Sequence, residues 1–110
     1  MKKDPKILLK HILESIEWIE RDVQGLSREN FYSEVIIQDA VLRRLEIIGE
    51  AVRNLDEMTK ESNPNVPWIE IAGMRNKLIH EYFDVDLDLV WEVVAGELPE
   101  FKKHILELTK

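Results

Sequence analysis

The chain is expected to fold as an all-α, antiparallel bundle of four main helices, and three observations predict it. Apolar residues recur at intervals of three and four along nearly the whole length. No apolar–polar alternation of the strand type persists anywhere. The chain has only four glycines and four prolines, and most of them fall where one periodic stretch gives way to the next. A length of 110 residues is one ordinary domain, so a single unit spanning 1–110 is expected, up-and-down in topology.

Helix one is read from Pro5 to about Gln24. Asp4 is its cap, and Pro5 stands at the first helical position, where its missing N–H removes no bond. Leu8, Ile12, Ile16, Ile19 and Val23 form its buried stripe, and Gly25 is its stop. A short turn or helical piece covers Leu26 to Tyr32. Helix two runs from about Ser33 to Met58, with Ile37, Val41, Leu45, Ile48, Val52 and Leu55 facing inward. Gly49 interrupts it at a cost of about 1 kcal/mol relative to alanine, which predicts close approach of another helix there. Ser62-Asn63-Pro64-Asn65-Val66-Pro67 is turn chemistry. Helix three starts at Pro67 or Trp68 and is expected to reach about Glu81. Helix four follows a cap at Asp86 or Asp84, with Leu87, Val90, Trp91 and Val94 buried. Gly96 and Pro99 mark a kink or break, and Leu98, Phe101, Ile105 and Leu108 carry the apolar face onward.

Composition narrows the function. Hydrophobic residues make up 45% of the chain, enough for a core. Charged residues make up 34% and interrupt every apolar run, so no membrane span is expected. The start Met1-Lys2-Lys3-Asp4-Pro5 is soon followed by charge and does not read as a secretory signal. There are no cysteines, which excludes disulfides, thiolate metal sites and cysteine nucleophiles, and fits a cytoplasmic protein. His11, His80 and His104 are too far apart in sequence for a metal-ligand pair on one helix, and no metal or other cofactor is expected. A formal net charge of −7 argues against broad, non-specific nucleic-acid binding. It leaves room for a small local site, and for a basic protein partner.

The chemistry concentrates on Arg75-Asn76-Lys77-Leu78-Ile79-His80-Glu81-Tyr82. If helix three continued through this segment, Gly73, Asn76 and His80 would share one face. Arg75 would stand about 140° around the axis from His80. A second chain packed across that face, or the long reach of arginine, would bring Arg75 and His80 together. Histidine moves protons near neutral pH, arginine holds phosphate with a forked pair of donors, and asparagine orients an imidazole or donates to a phosphate oxygen. RNA carries its own nucleophile in the 2′-OH, so this set suffices for phosphodiester cleavage without a metal.

Plainer roles exist for each residue. Arg75 can pair with a glutamate of helix two, His80 can favour a helix dipole, and Tyr82 can be a half-buried core residue. His11 reads as structural and His104 as solvent-facing. Trp68, Trp91 and Phe101 read as core rather than as a base-stacking platform.

The segment from Pro67 to Phe83 resembles the HepT family of HEPN-superfamily toxins, which pair with MntA-type nucleotidyltransferase antitoxins. The family motif is an arginine, four residues, a histidine, one residue and a tyrosine, and it falls on Arg75, His80 and Tyr82. Asn76 matches the polar residue that typically follows the arginine. Asp84-Val85-Asp86, Val90-Trp91 and the run from Leu42 to Ala51 extend the likeness over nearly the whole chain. The resemblance implies a HEPN-like fold, a homodimer and metal-independent cleavage of RNA. Arg75 and His80 would be catalytic with Asn76 assisting, and Tyr82 would accept AMP from the antitoxin. The competing reading is a non-catalytic helical partner of a nucleotidyltransferase. A bare structural helical dimer ranks behind both, because it gives no reason for the polar face.

Overall fold

A computed structural model describes residues 4–81 and 84–110. Among these the fold is helical, in the order α1 (Pro5–Val23), α2 (Arg28–Ser33), α3 (Val35–Arg53), α4 (Glu57–Glu61), α5 (Trp68–Ala72), α6 (Met74–Leu78), β1 (Ile79–Glu81), β2 (Asp84–Val85), α7 (Leu87–Glu92), a π-helical turn (Val93–Glu97) and α8 (Leu98–Leu108). The all-α class holds. The β1–β2 pairing is a short antiparallel clasp, Ile79 opposite Val85 and Glu81 opposite Asp84, with an irregular register between them.

The caps that start these helices are written locally. Asp4 accepts from Lys6 N at 2.9 Å, Ser27 from Asn30 N at 3.1 Å, and Asp86 from Leu89 N at 3.1 Å. Each supplies an acceptor to an otherwise orphaned N–H of the first turn. Asp86, rather than Asp84, therefore caps the last helical segment. Gly25 turns the chain after α1 at φ 79°, the left-handed region that glycine enters without a Cβ penalty.

Helix two is divided. α3 ends at Arg53, and Asp56 starts α4 by accepting from Thr59 N at 3.2 Å and the Thr59 hydroxyl at 2.6 Å. A second internal cap competes with helix continuation, because a side-chain acceptor satisfies the N–H groups locally. The expected kink at Gly96 and Pro99 is a single widened π turn, and α8 continues from it with Pro99 near its start.

The core lies where α1 packs along α3, with α8 against α1 and α5–α6 against α3. Ile12, Ile16, Ile19, Val41, Ile48 and Val52 are fully buried there, as the helical stripes predict. Trp68 packs edge-on against Phe101 at 6.1 Å between centroids and donates its indole N–H to the Asn63 carbonyl at 3.1 Å. Trp91 meets Phe31 at 5.3 Å. Trp68 and Phe101 are core, as read, while Trp91 is partly buried against it. The stripes omit Leu9, Phe31, Met74 and Val93, all of which are buried.

Gly49 has the expected cause. A Cβ built there would stand 3.3 Å from the Ile71 carbonyl oxygen and 3.5 Å from that of Ala72, so α5 rests directly on the α3 backbone. Arg53 holds the same place, its Nη2 donating to the Ala72 carbonyl at 2.8 Å. Alanine at 49 gains about 1 kcal/mol of helix propensity but must push a backbone carbonyl, at a cost of about 1–3 kcal/mol. We expect Gly49→Ala to lower stability by about 1 kcal/mol net, read as a reduced midpoint in urea unfolding. A stabilised variant would show that α5 can move away freely.

Candidate active site

Helix three does not continue to Glu81. It breaks at Gly73 into α5 and α6, and α6 ends at Leu78. Ile79, His80 and Glu81 are extended, and the Leu78 carbonyl accepts from Asp86 N at 2.9 Å rather than from a following helical turn. The shared helical face of Asn76 and His80 is therefore corrected: Asn76 is helical, and the chain has left the helix before His80. The β-branched Ile79 and the pairing with Val85 favour the extended state at this point. The His80 side chain, and Tyr82 altogether, lie outside the described residues.

Within α6, Met74 and Leu78 are buried at 6% and 1% relative exposure. These anchors are four apart, so they share the inward face and turn Arg75, Asn76 and Lys77 outward. Arg75 and Asn76 line an open cleft of about 590 Å³. α1 contributes Leu8 and His11 to it, and α3 contributes Arg43, Glu46, Glu50 and Arg53. The α3 residues share one side of the helix because their spacings of three, four and three keep them within an arc of about 80°.

Charge in the cleft is mixed but positive on balance. Arg43, Arg53 and Arg75 face Glu46 and Glu50, in a chain whose formal net charge is −7. Arg75 Nε stands 3.4 Å from Glu46 Oε2, the helix-two glutamate foreseen for it. Arg53 is tied to Glu50 at 2.8 Å. Among the described residues Arg43 has no ion pair, so its guanidinium faces the cleft free of a carboxylate partner. His11 is exposed and lines the same cleft, which revises its reading as structural. Its position on the shoulder of the α1 stripe gave no signal of what lies across from it.

The Arg75–Glu46 pair is half-exposed on both sides, and such pairs contribute roughly 0–1 kcal/mol. We expect Glu46→Gln to change unfolding free energy by less than about 1 kcal/mol in urea titration. A larger loss would mean that Glu46 holds α6 onto α3.

A second, more apolar cleft of about 640 Å³ lies between α5–α6 and α7–α8. His104 lines it and is half-buried, rather than simply facing solvent. Among the described residues, no cluster of three or more histidine, aspartate or glutamate side chains could hold a metal ion. No described helix is long and apolar enough to cross a membrane.

An all-helical domain with this arginine–histidine motif at the end of a broken helix defines the class: a HEPN-type protein. More narrowly, the chain belongs to the HepT-like ribonuclease family, whose model, described as "Ribonuclease HepT-like", matches residues 12–108. It is 46% identical to "Putative RNase TTE0752" of Caldanaerobacter subterraneus subsp. tengcongensis over 106 residues, 96% of this chain and 95% of that protein. It is 42% identical over 110 residues to "Probable ribonuclease HepT" of Thermococcus cleftensis, covering all of both chains. It is 49% identical over 108 residues to "Gamma-glutamylcyclotransferase and putative RNase MJ0434" of Methanocaldococcus jannaschii, covering 98% of this chain but 49% of that one. The chain thus spans about half the length of that relative. No solved structure matches it significantly.

Proposed function

We propose that the protein is a metal-independent endoribonuclease toxin, cytoplasmic and homodimeric, and that an MntA-like nucleotidyltransferase antitoxin silences it by transferring AMP to Tyr82. The observation that carries the reading is the outward turn of Arg75 and Asn76 into a positively balanced cleft, immediately before the chain leaves α6 toward His80. Membership of a ribonuclease family supports it.

In this reading the RNA phosphate binds Arg75, with Asn76 donating to a phosphate oxygen or orienting His80. His80 takes the proton of the 2′-OH, and the 2′ oxygen attacks phosphorus. The bond from phosphorus to the 5′ oxygen breaks, and that oxygen gains a proton from the second histidine of the dimer. The products carry a 2′,3′-cyclic phosphate and a free 5′-OH. A dimer with one cleft between two copies supplies one histidine as base and the other as acid.

The test is incubation of unmodified protein with mixed RNA in EDTA, with product ends identified by mass spectrometry. Cyclic-phosphate ends formed without metal are expected. Absence of cleavage by folded, unmodified protein on several RNAs would leave the non-catalytic partner as the better account. The exposure of Ile36 at 84% and Ile69 at 85% favours a protein-binding surface under either reading.

A further inference from the structure

Three tryptophans occur in the chain, and they are used differently. Trp68 and Trp91 pack against Phe101 and Phe31. Trp18, on α1, keeps 44% of its surface exposed and has two arginines for neighbours. The Arg21 guanidinium carbon lies 4.6 Å from the indole centroid, and that of Arg44, on α3, lies 5.5 Å away. Both are within cation–π range. Among the described residues neither guanidinium is paired with a carboxylate, so their N–H groups remain available to an anion.

The cluster also has a place relative to the cleft. Trp18 follows His11 by seven residues, which is the same ridge of α1 about 10.5 Å further along. Arg44 adjoins Arg43 on α3. His11 and Arg43 both line the cleft that holds Arg75. The two helices that form the cleft wall and floor therefore carry the Trp18 cluster beyond its end.

We propose that Trp18, with Arg21 and Arg44, is a stacking site for a base of single-stranded RNA, engaging the strand at a second point outside the Arg75 cleft. Arg21 lies over the half-exposed indole in a weak surface contact; when it swings aside a base stacks on the freed π-face, and the guanidiniums take the adjoining phosphate. Glu14, Glu17 and Asp22 share the exposed or half-exposed surface of α1, so the attraction comes from stacking and two local cations rather than from a basic field. Sequence preference at this point is correspondingly weak. The proposal rests on the reading of the protein as one that acts on RNA.

The test titrates His80→Ala protein, expected to cut RNA far more slowly than wild type, into a fluorescein-labelled dodecamer of single-stranded RNA and follows anisotropy. Trp18→Ala in that background is expected to raise Kd roughly 5- to 100-fold, while Trp18→Phe keeps most of the affinity. Arg21→Gln with Arg44→Gln should weaken binding and flatten its salt dependence. Circular dichroism and light scattering accompany each variant. Unchanged Kd in folded Trp18→Ala protein overturns the proposal. So does a change of oligomeric state with unchanged Kd, which assigns the patch to contact between copies. Trp18-dependent binding by a wild-type protein that cuts no RNA would sustain this site while the nuclease reading failed. Cleavage by wild type with Trp18-independent binding would remove this site alone.

Discussion

His80→Ala is expected to lower the rate of metal-free RNA cleavage by roughly 10²- to 10⁴-fold, the usual contribution of a positioned acid–base group. Arg75→Ala should lower it by roughly 10²- to 10³-fold, the cost of losing one group that stabilises developing charge. Arg75→Ala should fold, because Arg75 is exposed and its ion pair with Glu46 is half-exposed; circular dichroism checks the fold of both variants. The assay is run in EDTA on protein whose Tyr82 is verified as unmodified by mass spectrometry. Mixing His80→Ala with wild-type chains adds a test of the composite site. If the two copies of His80 serve one cleft as base and acid, a mixed dimer keeps only one of them, and its activity should fall well below half that of wild type. If each chain acts alone, the mixed dimer keeps about half. Wild-type rates in His80→Ala protein would remove the nuclease assignment to this motif.

AMP transfer to Tyr82 is expected to silence cleavage as completely as loss of His80. Tyr82 stands two residues beyond His80, and adenylylation adds a phosphate charge and a bulky nucleotide there. An anion beside Arg75 competes with the RNA phosphate for the same donors. The effect is occupancy rather than unfolding, so the modified protein should keep its helical circular dichroism and its thermal midpoint within a few degrees. Tyr82→Phe supplies the control: it should cleave RNA yet escape silencing by ATP and the nucleotidyltransferase. Stoichiometric AMP on Tyr82 with undiminished cleavage would sink this mode of regulation.

Much of the architecture was legible because it depends on local chemistry. The stripes of α1 and α3 named Ile12, Ile16, Ile19, Val41, Ile48 and Val52 as core, and all are fully buried. The Asp4 cap, the Gly25 turn and the reason for Gly49 were also readable, since a missing Cβ inside a strong helix has few causes besides close approach. The motif residues Arg75 and Asn76 needed no fold to be noticed, only their spacing to His80 and Tyr82.

Other features depend on what lies across space. Periodicity carried helix three through His80 because Leu78 and Ile79 suit a helix as well as a strand. Pairing with Val85 and the bond from Asp86 N to the Leu78 carbonyl ended it sooner. Helix two divided because Asp56 caps a new start, a competition that stripe counting does not register. His11 looked structural on its own helix and became part of a cleft only when α3 and α6 were set opposite it. By itself, then, the sequence determined which residues are apolar at helical spacing, where caps and turns fall, and which family carries the arginine–histidine motif. Tertiary structure decided which helix ends yield to strand pairing, which charges share a cleft, and which tryptophan stays outside the core. The physical reason is range: caps, turns and amphipathic stripes act within a few residues, whereas pairing, cleft formation and burial depend on segments distant in the chain.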